Sequence, residues 1–384
     1  MTKRTFIKDF LEKKGNLTFA EYPFSEVDVA ICAALSYGDY MASSVILKFD
    51  LWNDKIPLKA FNKHETIKLL SRRFLSGPLV FYNFFKAVLK TKRYEALRIT
   101  KIMNYFDSTK NAQFYAMMYE IDDLRFVIYR GTDNSIPGWK EDFLTAIKDV
   151  VPSQKLALDY LNKVLEEEEK DVTIIGHSKG GNLAYYAFFN TNEENKKRVK
   201  ICYNLDGNGF KNDSYNYEKY SNQILKIVPS DDVVGSIFDM TNNRQYVVSS
   251  SFTIFAHDVL TWIIDSKTEN TFLRAKNLTR ISNAYQVALN SWVQSLSDED
   301  IHYFIDFIFM LVDVDKPLTI KDLMNSFNSN KRSYFKSIEN YPIEQKKEIQ
   351  KMCILYIEDF LKAYLNVKPK RNTLKITKIE EKEL

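Results

Sequence analysis

Three of the chain's 11 glycines crowd around one serine in Gly176-His177-Ser178-Lys179-Gly180-Gly181. Val172 to Ile175, just before it, is a short apolar and partly β-branched run, and Leu183 to Phe189, just after it, suits a helix. The glycines therefore mark a strand-to-helix turn. A serine at the tip of so tight a corner needs glycine two residues before and two after, because a Cβ there would block the turn. A strand-loop-helix crossing with purely structural glycines is the plainer alternative.

The rest of the chain supplies a sheet for that corner to belong to. Ser25 can cap a helix carrying Val27, Ile31 and Leu35, and helices are expected over Lys63 to Arg73 and Pro78 to Leu89. From Ala96 the period changes. ALRITKIMNY, AQFYAMMYEI and LRFVIYRGT read as three consecutive strands forming an antiparallel entry into a sheet, in a chain that until then was helical. A helix over Ser153 to Glu166 follows, then strand Val172 to Ile175, helix Asn182 to Asn190, and strands Val199 to Leu205, Ile224 to Val228 and Tyr246 to Val248. Alternation of this kind argues for a largely parallel, helix-covered sheet. Strand signals stop after Trp262. Ser297 with Asp300 resembles a capping box ahead of an apolar face of Ile301, Phe304, Ile305, Ile308 and Leu311, Thr319 can cap a helix after Pro317, and Glu344 to Leu365 suggests one more. That face is expected to pack on the preceding domain; peripheral membrane contact is the other use such a face can have. The expected division is an N-terminal segment at 1–19, the sheet domain at 20–265, a helical extension at 266–367 and a charged tail at 368–384.

Composition mainly excludes. In 384 residues, 45% hydrophobic content suffices for a large core, and 54 basic against 50 acidic residues leave no nucleic-acid footprint. Cys32, Cys202 and Cys353 lie far apart in apolar surroundings and are expected to be free, buried thiols. No apolar run approaches the roughly 18 residues of a membrane span, and the N-terminus has no signal-peptide core, so a cytoplasmic location is the default. With four histidines, none paired as HxxH, no metal is expected, and no glycine pattern points to a cofactor.

An activated serine needs a base, and the base needs an orienting acid. After Ser178 only His257 and His302 remain, and His302 lies beside the apolar face of a C-terminal helix, so His257 is the candidate base. Asp231 and Asp232 follow strand Ile224 to Val228; Asp232 is the first choice of acid, and Asp206, after the preceding strand, is the alternative. Donors for an oxyanion are expected from the amides of Lys179 and of Thr132, where Gly131 lets the backbone turn close to a substrate.

QFYAMMYEIDDLRFVIYRGTDNSIPGWKEDF, GHSKGGNLAYYA, DGNGF, IVPSDDVVG and AHDVLTW occur in this order. Together they resemble the Mbeg1-like family of bacterial α/β-hydrolase-fold proteins over about residues 18 to 330. RGT ahead of the corner and Asp-Val-Val after a later strand are more distantly similar to the class 3 lipases. The resemblance implies an α/β-hydrolase fold with a mostly parallel central sheet, Thr132 in the oxyanion hole, Ser178 as nucleophile, Asp232 as acid and His257 as base. In the family pattern the stretch matching Ser230 to Asp232 often carries serines, whereas the aspartate of the DG turn recurs, which keeps Asp206 as a candidate. The expected activity is that of a serine esterase or lipase on an acyl ester or lipid with an apolar chain. Thioesterase or peptidase action, or an inactive binding module on the same fold, are the alternatives. Lys179 is a further candidate for holding an anionic head group.

Overall fold

The computed structural model describes residues 4–366 apart from 73, 75, 108–111, 134–140, 143, 145–149, 211–213, 240, 242, 313 and 315–319. The expected cap at Thr319, Pro317 before it and the charged tail lie outside the described residues.

Five helices lead in: α1 (Ile7–Lys14), α2 (Glu26–Leu35), α3 (Tyr40–Ile46), α4 (His64–Ser71) and α5 (Pro78–Leu89). Ser25 caps α2 as the sequence suggests, its hydroxyl accepting from Asp28 N while Asp28 accepts from Ser25 N at 2.8 Å. One sheet of nine strands, whose first strand comes between α3 and α4 and the rest after α5, has a spatial order equal to chain order. β1 (Ile56–Pro57), β2 (Arg98–Asp107), β3 (Ala112–Ile121) and β4 (Leu124–Tyr129) pair antiparallel. β4, β5 (Val172–His177), β6 (Val199–Leu205), β7 (Ile224–Pro229) and β8 (Arg244–Val247) then run parallel. Parallel neighbours need crossovers. Between β4 and β5 this is α6 (Pro152–Glu167); between β5 and β6 it is α7 (Lys179–Asn190), followed by the short α8 (Glu193–Lys197).

The alternation of side chains along the strands feeds two cores. Ile128, Ile175, Leu205 and Ile227 face a cluster built with α1, α2, α4 and α5, while Val127, Tyr129, Ile174 and Cys202 face one built with α6 and α7. β3 is buried at every position, as a strand covered on both faces must be.

The sheet does not end at Trp262. β9 (Arg274–Ala275) returns antiparallel on β8, so the segment expected to be wholly helical adds an edge strand. Two residues are too few to show a period, which is also why β1 escaped notice. Beyond β9 come α9 (Arg280–Ser295), α10 (Asp298–Val312), α11 (Ile320–Ser329), α12 (Lys331–Asn340) and α13 (Ile343–Asn366). The Ser297–Asp300 box starts α10, with Asp300 N donating to Ser297 Oγ at 3.1 Å. On the apolar face of α10, Ile301 and Ile305 are buried against Trp292, Ile349 and Met352, in a cluster that also holds Leu144, Val151 and Phe238 from the body of the sheet domain, while Ile308 and Leu311 are half-buried. No helix among the described residues is long and apolar enough to cross a membrane. Cys32 and Cys202 are buried free thiols as expected, but Cys353 is exposed, because the apolar residues around it in sequence line several sides of α13.

Candidate functional site

Because β4 to β8 run in register, the residues that follow them emerge along one edge of the sheet: Gly131 after β4, Ser178 after β5, Asp206 after β6 and Asp232 after β7. Ser178 sits at φ 60°, ψ −134°, a conformation that costs a non-glycine residue energy and is kept only where the surroundings enforce it. Its amide donates to Leu205 O at 3.0 Å and its carbonyl accepts from Gly181 N at 2.8 Å. The flanking glycines are obligatory for contact reasons. A Cβ on Gly176 would lie 1.9 Å from Gly180 O, and one on Gly180 would lie 2.1 Å from Tyr129 O.

His257 closes a short 3-10 turn, Thr253–His257, whose fold is pinned by Trp262 Nε1 donating to Ala256 O at 2.9 Å. Its Nδ1 lies 2.7 Å from Asp206 Oδ2. The imidazole packs on that of His177, ring centres 4.7 Å apart and 34° between planes. Since His177 precedes Ser178 in the chain, this stack brings His257 to the serine corner. His177 is itself fixed at both nitrogens: Nε2 is 2.8 Å from His257 O and Nδ1 is 2.6 Å from Tyr37 OH. A carbonyl can only accept, so Nε2 carries the proton and Tyr37 donates to Nδ1. Burial, reinforced by charge on His257, pushes His177 down to about 3, so this ring stays neutral. Burial also lowers His257, against the pull of Asp232.

The carboxylate on the imidazole is thus Asp206, and the first-choice acid, Asp232, is placed otherwise. Asp232 folds back on its own turn, Oδ1 accepting from Val234 N at 2.6 Å and Gly235 N at 3.1 Å, Oδ2 from Ser236 N at 2.9 Å. The reason lies in the sheet: β6 is the direct neighbour of β5, whereas β7 is one strand further out. Asp206 adopts φ 55°, a left-handed conformation that aspartate tolerates better than most residues, and it turns the chain straight off β6. Burial pushes Asp206 up to about 7, and burial with the charge of Asp206 pushes Asp232 up to about 7.

Gly131 approaches Ser178 so closely that a Cβ on it would lie 2.7 Å from Ser178 Cβ, which puts Thr132 beside the serine. The Thr132 hydroxyl is engaged by Asp142, Oγ1 to Oδ2 at 2.6 Å. Burial raises Asp142 to about 6. Lys179 is buried, not turned to solvent: Nζ donates to Gln113 O and to Glu141 Oε2, each at 2.9 Å. With that ion pair it has no free charge for a head group, contrary to the expectation. Glu141 also accepts from Gln113 N at 2.9 Å and Ser153 N at 3.1 Å, tying β3, α6 and α7 to one carboxylate. His302 is exposed on α10.

Asp206, Asp232 and His257 are the described residues whose ligand atoms cluster, all within 4.8 Å. The donor set does not suit a cation: Asp232 already takes three backbone N–H groups, and His257 Nδ1 and Asp206 Oδ2 hold each other. Sequence reasoning overlooked Tyr37, His177, Glu141 and Asp142. His177 and the acidic pair of WKEDF stand inside the quoted motifs, but Tyr37 has no local signal, since it ends an apolar helical stretch and its contact spans 140 residues.

No curated protein and no solved structure matches this chain. A family model, Mbeg1-like, matches residues 88–310, the span that holds β2 to β9 and every candidate catalytic residue. On that match, over more than half its length, the chain belongs to the Mbeg1-like family.

Proposed function

We propose that the chain is a serine hydrolase with the α/β-hydrolase fold, cleaving acyl esters. The observation that carries the reading is the strained Ser178 at a strand-helix corner, with an Asp206–His257 hydrogen bond of 2.7 Å held against the neighbouring residue. In this reading Ser178 Oγ attacks the acyl carbonyl and passes its proton to His257 Nε2, while Asp206 accepts the Nδ1 proton and stabilises the imidazolium. The amides of Lys179 and Thr132 take the oxyanion. The leaving alcohol departs with the proton from His257, and water repeats the sequence to release the acid.

An apolar acyl chain is favoured by what surrounds the base. The turn that carries His257 exposes Phe252, Ile254 and Phe255, at 69%, 44% and 69%. Ser76, just before α5, donates to Asp258, the residue after His257, which brings the exposed Leu79 and Val80 of α5 to the same side. Apolar side chains grouped beside a site in this way commonly mark contact with an apolar ligand.

The test is hydrolysis of nitrophenyl esters from acetyl to palmitoyl by the protein and by Ser178→Ala, with fluorophosphonate labelling in parallel. Turnover and labelling that vanish in the variant are expected. A wild-type protein that neither turns over an ester nor takes the label would overturn the reading.

A further inference from the structure

We propose that Asp206 and Asp232 hold one proton between them, so that Asp232 serves as a neutral positioning residue that keeps Asp206 charged and aimed at His257. The inference rests on the hydrolase reading for its kinetic consequence but not for its structural one.

The geometry raises a problem that a second carboxylate should make worse. Both acids are fully buried, at 0% and 1% exposure, and lie with His257 inside 4.8 Å. Two carboxylates so close and so dry do not both ionise. Lys226 favours a charged Asp206, but its Nζ lies 3.1 Å from Asp239, whose charge opposes that effect. The other groups that face the cluster are Asp142 and Asp258, which add negative charge, and His177, which is neutral.

The hydrogen bonds indicate where a proton is missing. Asp206 Oδ2 takes the Nδ1 proton of His257, while Oδ1 is buried and makes no hydrogen bond of normal geometry, the nearby Gly235 amide being given to Asp232 Oδ1 at 3.1 Å. Gly235 seals that oxygen from above, since a Cβ there would lie 2.2 Å from it. Asp232 can accept its three backbone N–H groups and still donate from Oδ2, which receives only Ser236 N. The charge then stays on the acid that faces the imidazole.

Asparagine imitates a protonated aspartic acid except that its amide nitrogen cannot accept, so at 232 the Ser236 N–H loses its acceptor, and the two positions should still respond oppositely. Asp206→Asn is expected to lose on the order of 10⁴-fold in kcat/KM, as when a base loses its orienting carboxylate. Asp232→Asn should stay within about tenfold of wild type, while Asp232→Ala, losing donor and turn together, should lose on the order of 10²-fold. The reverse pattern, or equal losses at 206 and 232, would overturn the proposal, as would an Asp232→Asn protein that does not fold.

A second readout needs no substrate. The folded pair retains a proton that the unfolded carboxylates release near pH 4, so wild type should lose denaturation stability relative to Asp232→Asn as pH rises from about 4 to about 7. A difference that stays flat across that window refutes the shared proton even if no ester is ever hydrolysed.

Discussion

Replacing Gly180 by alanine sets two effects of opposite sign against each other, and their sizes decide the outcome. Gly180 lies in the first turn of α7, where alanine is favoured over glycine by up to about 1 kcal/mol on helix propensity. Against this, the added Cβ would stand 2.1 Å from Tyr129 O, 2.8 Å from Tyr129 C and 2.9 Å from Arg130 C. All three are backbone atoms, so no rotamer change relieves the contact. Ordinary separations near 3.5 Å require α7 to withdraw from β4 by ~1 Å, and overpacking of that kind costs about 1–3 kcal/mol. Strain therefore outweighs propensity, and Gly180→Ala should be destabilised by roughly 1–2 kcal/mol in urea denaturation. The same withdrawal carries Ser178 with it. A displacement of ~1 Å at a nucleophile is worth on the order of 10²-fold in rate, so fluorophosphonate labelling should slow by about that factor. A Gly180→Ala protein as stable as wild type, or labelled as fast, would refute the argument that the corner is fixed by contact between α7 and β4.

Lys179→Met should destabilise the protein by about 3–5 kcal/mol in urea denaturation, because it strands the buried Glu141 carboxylate, and Glu141→Gln added to it should recover part of the loss; no recovery would show that the ion pair is not the cause. The acid limb of kcat/KM should lie below the ordinary histidine value of about 6.5, since burial disfavours charged His257 and the neutral ring is the proposed base. Activity would then persist on mild acidification, and a limb at or above that value would place the base elsewhere.

What the sequence made legible was the local chemistry. A strand, a glycine-flanked serine and a helix are contiguous, so their joint meaning survives without knowledge of the fold; β6 was placed residue for residue, and β5 and β7 differed only at their ends. Asp232 is the first choice for the imidazole on sequence, yet Asp206 is the one that contacts it, because chain order and position after a strand are shared by Asp206 and Asp232 and only lateral neighbourhood in the sheet separates them. Tyr37 could not have been found, because nothing in a helical apolar stretch says that its last aromatic will meet a histidine in another part of the chain.

That tyrosine has a consequence for how the chain is divided. The recognised family span begins at residue 88, yet His177 inside it is held by Tyr37 outside it. Arg93, fully buried, makes two 2.7 Å bonds to Asp28 across the same boundary. The limit of recognisable sequence and the limit of the folding unit are therefore different places. A fragment cut at residue 88 would keep Ser178, His257 and Asp206 of the proposed reaction, and would lose the donor that holds the ring on which the proposed base rests, along with Leu79 and Val80.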